Sequence, residues 1–237
     1  MSFLHLWDLS PVLFLLALCG CAMSRPVDPA ARARVPADGK IIITDYGYRD
    51  WGPELVNYTV APARFRPGNV WLVDEKGQAV PFQIDVDTLS FVASVPKGGR
   101  ATYTLETGEP GGRPRSSLTA RMAEGVMVLR NEFMALEMPA PGAVKFTPPA
   151  DASQAAPPIR RWAGADGAWM GGARFVTPRK VASQRFRIVR NGPAVVEYEA
   201  RYDFEPKGEY VWRVRLSPGM PLAVVTEEFD FGEMTGG

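Results

Sequence analysis

Histidine and cysteine are nearly missing from this sequence. Among 237 residues there is one histidine, His5, and there are two cysteines, Cys19 and Cys21. Removal of the segment before Cys21, with lipid on that thiol, would leave no histidine and no free sulfhydryl. That excludes a Ser-His-Asp or Cys-His catalytic apparatus and any zinc site built on histidine or cysteine. It also leaves no cysteine pair for a disulfide. Catalysis by the remainder would have to rest on carboxylates, Lys, Tyr, Arg or Ser, and the residues imply no cofactor and no metal. A long apolar run is missing as well. Val12–Ala17, "VLFLLA", falls far short of the roughly 20 residues a spanning helix needs. Charge of one sign is not concentrated either: 27 Lys and Arg stand against 26 Asp and Glu. With the basic residues dispersed, nucleic acid is not an expected partner.

What is present begins with an address. No charge lies between Asp8 and Arg25, and the apolar run ends in Leu18-Cys19-Gly20-Cys21. A short apolar core before small residues suits a signal peptide. The sequence around Cys21 resembles the bacterial lipobox, with an aliphatic residue at −3 and a small one at −1. The resemblance implies that residues 1–20 are removed and that the Cys21 thiol takes the lipid as a thioether. Two features depart from that pattern: Asp8 stands in a segment without Lys or Arg, and Cys19 occupies −2. The alternatives are an ordinary cleaved secretory peptide or a buried N-terminal helix. Ala22 after the cysteine implies outer-membrane sorting, hence a protein facing the periplasm or the exterior. Residues 21–38, which contain "SRPVDPAARARVPAD" without apolar periodicity, read as a flexible tether.

From Lys40 the pattern changes to short β-rich runs divided by turns. "IIITD", "ELVNYTV", "VWLVD", "AVPFQID", "LSFVASV" and "ATYTLET" follow one another, and "DEKGQ" and "PKGG" supply tight turns. The 23 glycines and 22 prolines suit a strand-and-turn chain. Residues 39–109 therefore read as an N-terminal β-sandwich, 110–116 as a linker and 117–237 as a second β-sandwich. The predicted fold is all-β with antiparallel sheets. In "EYVWRVRLS" the set Tyr210, Trp212, Val214 and Leu216 alternates with Val211, Arg213 and Arg215, the pattern of a strand with one buried face. "ARFVTP" reads as a further strand, and Trp71 and Trp212 read as core. Pro139–Pro158, with six prolines, reads as a long surface loop or lid.

Two kinds of residue could carry chemistry. "VVTEEFDFGE" places Glu228 and Asp230 on one face of an extended strand, about 7 Å apart, a candidate acid and base pair for a small glycosidase. Glu227 falls on the other face with Phe229. The acids Glu132, Glu197, Glu199, Asp203 and Glu205, with Arg201, read instead as a sheet face stitched by cross-strand ion pairs. Aromatics form the second kind. "DYGYRDWGPE" gathers Tyr46, Tyr48 and Trp51 among polar residues, and "RRWAGADGAWMGG" sets Trp162 and Trp169 around an Asp166-Gly167 turn. Exposed rings beside polar groups stack on the C–H faces of sugars, and plugs at sheet ends are the structural alternative.

The segments "DYGYRDWGPELVNYTV", "DEKGQAVPFQID…LSFVASVPKGGRATYTLETG" and "LRNEFMALEMP" resemble the opening of large bacterial envelope proteins that degrade polysaccharides. In those, a β-sandwich module precedes a supersandwich of mutarotase-like type. The resemblance covers Asp45–Met138 and carries no catalytic signature. It implies a carbohydrate-associated region, either the front of a longer enzyme or a short relative without the catalytic part. The expectation is a non-catalytic module contacting a polysaccharide or oligosaccharide through Tyr46, Tyr48, Trp51, Trp162 and Trp169. The rivals are an assembly lipoprotein that binds protein partners and the glycosidase using Glu228 and Asp230.

Overall fold

Strand follows strand because β-branched and aromatic residues alternate with polar ones between turn residues. A computed structural model describes residues 33–47, 49–61, 65, 68–108 and 114–230. The expectations for the signal segment, Cys21, most of the tether, Tyr48 and residues 110–113 of the linker lie outside the described residues. The described body is all-β and contains no α-helix.

The first six strands form two three-stranded antiparallel sheets. β1 (Lys40–Thr44), β6 (Arg100–Thr107) and β3 (Val70–Asp74) lie in the order β1-β6-β3. β2 (Trp51–Thr59), β5 (Thr88–Val95) and β4 (Phe82–Asp85) lie in the order β2-β5-β4. Their facing sides enclose a core that includes Ile41, Leu72, Leu89, Phe91, Tyr103 and Leu105. The turn after β3 shows how sequence sets the register. Asp74 Oδ1 accepts the backbone N–H groups of Lys76 and Gln78, and Gly77 takes the positive φ that reverses the chain.

Ten further strands form two five-stranded antiparallel sheets. β12 (Trp169–Gly171), β11 (Arg161–Ala163), β9 (Ala135–Pro139), β8 (Val126–Arg130) and β7 (Thr119–Ala123) make one, in that order. β10 (Gly142–Ala150), β13 (Lys180–Asn191), β14 (Val196–Glu205), β15 (Glu209–Leu216) and β16 (Val224–Asp230) make the other. Tyr210, Trp212, Val214 and Leu216 all enter the core between these sheets, as the period-two pattern requires. Each large apolar side chain fully buried there contributes about 1.5–3 kcal/mol. The Tyr198 hydroxyl, buried in the same core, donates to the Pro139 carbonyl and so ties one sheet to the other.

Three local readings differ from the sequence expectation. Pro139–Pro158 is not a loop: it supplies β10 and a short 3-10 turn at Ala152–Gln154. β10 tolerates Pro148 and Pro149 because it is an edge strand and its pairing with β13 is interrupted between Lys145 and Ala150. "ARFVTP" contains no strand; Phe175 instead stacks on Tyr202 and Phe204 and stays packed on the core from a loop. Trp212 is core, whereas Trp71 is only half-buried, since the neighbouring Leu72 takes the inward position of β3.

The two cores meet through a polar seam. Gln83, Ser90 and Asn57 form one cross-strand row on the outer face of β4, β5 and β2, and the Ser90 hydroxyl donates to Asn57 Oδ1 at 2.6 Å. Arg190, from β13, donates to Asp85 at 2.7 Å and to Ser90 at 2.7 Å. Gln83 presents its carbonyl oxygen to the Val195 N–H. Gly192 lies against this row so closely that a β-carbon there would sit 2.3 Å from Gln83 Oε1. No buried side-chain polar atom among the described residues lacks a partner, the condition under which polar contacts rigidify instead of weaken.

Candidate functional site

The first aromatic patch is organised by one carboxylate. Asp45, 5% exposed, closes the turn to Gly47 at 2.9 Å and receives the Gly98 N–H at 2.7 Å. It also accepts the Trp51 indole N–H at 3.0 Å. Asp50 anchors the same turn by accepting the Lys97 N–H at 2.7 Å. Trp51 is thus fixed by its polar edge, half-buried, with the Arg49 guanidinium 4.3 Å from its ring centroid. Tyr46, at 86% exposure, projects beside it. Tyr48 lies outside the described residues. The patch therefore presents one free-standing phenol and one oriented indole with a cation on its face.

The second patch lies on the β11–β12 hairpin, and here the sequence pair is split. The register places Trp162 opposite Met170 and Ala163 opposite Trp169. Neighbouring register rows point to opposite faces, so the two tryptophans do not share one. Trp162 packs against the core of the second sandwich. Trp169 remains on the outer face, 37% exposed. Its ring lies 4.8 Å from the Arg161 guanidinium, which in turn donates to Glu137 at 2.6 Å. Arg160 approaches the same carboxylate at 3.7 Å. Both arginines are about half exposed while Glu137 is buried beneath them. Sequence reading missed this group because Glu137 lies on β9, 24 residues away from Arg161. The signal for the split was present: a hairpin turning at Asp166-Gly167 with Ala163 facing Trp169 cannot put Trp162 on the same side.

The carboxylates of the last strand are structural partners. Glu228 and Asp230 do lie on the outer face of β16, and Glu227 on the inner one. Glu228 accepts from Arg213 at 2.5 Å, Arg213 from its Nε donates to Glu199 at 2.7 Å, and Arg187 donates to the other Glu199 oxygen at 2.7 Å. Four strands are laced by this Arg-Glu-Arg-Glu row. Glu199 is 3% exposed. Burial alone would raise its pKa, but the hydrogen bonds and charges of Arg187 and Arg213 outweigh it and hold the carboxyl below the usual range. For Arg213, burial pulls downward, and Glu199 and Glu228 reverse that to keep it above the ordinary arginine value. Arg201 pairs with Glu209 and approaches Asp203, while Ser183 donates to Asp203. Glu197 adds its charge beside Arg215. Glu205 is exposed at the end of β14. Glu132 accepts from Ser117 at 2.5 Å and from the Gly219 N–H at 2.7 Å.

Such an arrangement stitches a sheet face. Among the described residues no three His, Cys, Asp or Glu side chains come together as a metal site, and no helix is long and apolar enough to cross a membrane. No protein-family model matches the sequence, and comparison with curated proteins found no match.

Proposed function

We propose that this chain is a non-catalytic, carbohydrate-associated β-sandwich region of a lipid-anchored envelope protein, acting as the N-terminal part of a polysaccharide-processing enzyme. The observation that carries the reading is the Trp169 surface. An exposed indole lies on a sheet face beside two half-exposed guanidiniums that share a buried carboxylate. The ring offers a flat apolar platform for a sugar face, and the arginine N–H groups offer donors to its hydroxyls. Tyr46 and Trp51 repeat the combination at the end of the first sandwich, with Arg49 as the cation. Trp162 supports the platform from the core side and does not contact ligand. Cys21 carries the anchor in this reading, and the body faces the periplasm or the exterior.

The test is retention in a native gel cast with soluble polysaccharides, neutral and acidic. Trp169→Ala should weaken retention at least tenfold, and Tyr46→Ala should weaken it less, both with unchanged circular dichroism. Retention identical to wild type in both variants, or no retention of the wild type on any glycan, overturns the proposal. Cys21→Ala should move the protein from the membrane fraction to the soluble one and end acyl labelling.

A further inference from the structure

The outer faces of the two five-stranded sheets use their arginines differently. On the sheet of β10, β13, β14, β15 and β16, Arg187 and Arg213 share Glu199, Arg213 also meets Glu228, and Arg201 meets Glu209. The other sheet is built from β7, β8, β9, β11 and β12, and those strands contain one carboxylate, Glu137. Arg160 and Arg161 both claim it, so the group keeps a net positive charge. Arg121 on β7 and Arg130 on β8 are exposed and have no acidic partner among the described residues.

Register decides which of these side chains share a face. Arg161 pairs with Glu137, Glu137 with Val128 and Val128 with Arg121, so one cross-strand row carries a guanidinium at each end. The next row on the same face runs through Trp169, Ala163, Ala135 and Arg130. Directly opposed residues point to one side of a sheet, and positions two apart along a strand keep to it. Strands lie about 4.8 Å apart, so the backbones of Arg161 and Arg121, and those of Trp169 and Arg130, stand about 14 Å apart. Between these ends Ala163, Ala135 and Val128 are small and buried, which leaves the cations and the indole to meet solvent along the two rows.

An indole and unneutralised guanidiniums on one face suit a ligand with flat apolar surfaces and recurring negative charge. A glycan bearing carboxylates along its length has both: sugar faces for the ring, and anions that take two N–H groups of one guanidinium. We propose that this face binds an acidic polysaccharide laid across the strands from β12 to β7. Trp169 stacks on one sugar, the Arg160–Arg161 pair takes a carboxylate beside it, and Arg121 with Arg130 takes another further along. The proposal rests on the carbohydrate reading above and adds to it the charge of the ligand and a contact point remote from the tryptophan.

The experiment runs the full chain in native gels cast with polygalacturonate, alginate or hyaluronate, each beside its carboxyl-reduced neutral form, with mobility measured against a glycan-free gel. At least one acidic polymer should retain the protein tenfold more strongly than its neutral form, and high salt should remove the excess. Arg121→Gln with Arg130→Gln should weaken retention on the acidic polymer at least fivefold, leave retention on the neutral one unchanged and preserve the circular dichroism. Trp169→Ala should weaken both. Equal retention on acidic and neutral forms overturns this inference and leaves the carbohydrate reading standing, whereas retention on neither form of any polymer removes both. Full acid preference in the double arginine variant would place the anion contact elsewhere and overturn the proposal. Equal retention by polyphosphate that survives Trp169→Ala, the mark of a general polyanion patch, would overturn it as well.

Discussion

The two sandwiches solve one problem at different scales. The first has two sheets of three strands and relies on turns tied by side chains: Asp45 alone receives three donors, and Asp74 closes a hairpin. The second has two sheets of five, long enough to bury a file of tyrosines between them and to lace its outer face with charges. A small core leaves less apolar area per residue, so specific polar ties matter more to it. The difference teaches where each half is vulnerable: the first at its turns, the second in its interior.

The largest expected effect tests the interiors. Phe91→Ala and Tyr198→Ala each delete a ring that is wholly buried and should cost about 3–5 kcal/mol. Chemical denaturation followed by tryptophan emission should show both sandwiches unfolding in a single transition if the seam couples them. Arg190→Ala attacks that seam directly. It leaves Asp85 and Ser90 without their guanidinium, at a cost of about 1–2 kcal/mol after discounting for partial exposure. It should also split unfolding into two steps, with the first sandwich going first; one unchanged transition would show that the cores do not communicate through Arg190.

Titration sharpens the comparison from both ends of the pH scale. Burial raises the hydroxyl pKa of Tyr198, Tyr202 and Tyr210 in the second sandwich, and of Tyr58 and Tyr103 in the first. Raised values mean stability that is complete below the unfolded pKa of about 10 and is lost as pH climbs towards the folded values. The loss should be steeper in the second sandwich, where three such groups share one core, and absorbance at 295 nm should rise with its unfolding. Glu199 gives the opposite sign. Its lowered pKa confers stability present above the unfolded value of about 4 and lost as pH falls through the folded one. Glu199→Gln should therefore flatten the acid limb of the stability curve. The smallest effect belongs to the surface: Trp169→Ala should change stability by less than about 0.5 kcal/mol, while Trp162→Ala, which opens the edge of the core, should cost about 1–3 kcal/mol. Equal values would mean that the hairpin faces are not distinguished.

Much of the fold was legible because period two survives in long strands. The alternation in Tyr210–Leu216 identified its buried face, and "DEKGQ" located a hairpin, whereas the "PKGG" turn carries the chain from β5 in one sheet to β6 in the other. Legibility failed where two local signals conflict. Proline density in Pro139–Pro158 argued for a loop, yet an interrupted edge strand needs few of the N–H groups that proline lacks. Phe175 holds the core without belonging to a strand, so no periodicity could announce it. Glu199 was expected on a sheet face of cross-strand ion pairs, but its row with Arg187, Arg213 and Glu228 could be recognised only once registers were known. Of the candidate contacts, Tyr46 and Trp169 were placed on the surface, while Trp162 turned inward by one step of register. The seam was out of reach altogether, since Arg190 and Asp85 stand 105 residues apart.

That seam has a consequence for recognition. Sliding one sandwich against the other by a single residue would break the bonds of Arg190 to Asp85 and Ser90 together with that of Val195 to Gln83, and Gly192 leaves no slack beside them. The Tyr46 end and the Trp169 hairpin are therefore held at a constant separation, like the jaws of a set caliper. For a chain-like ligand that touches both, affinity should not grow smoothly with the number of repeats. It should jump once, at the length that first bridges the gap.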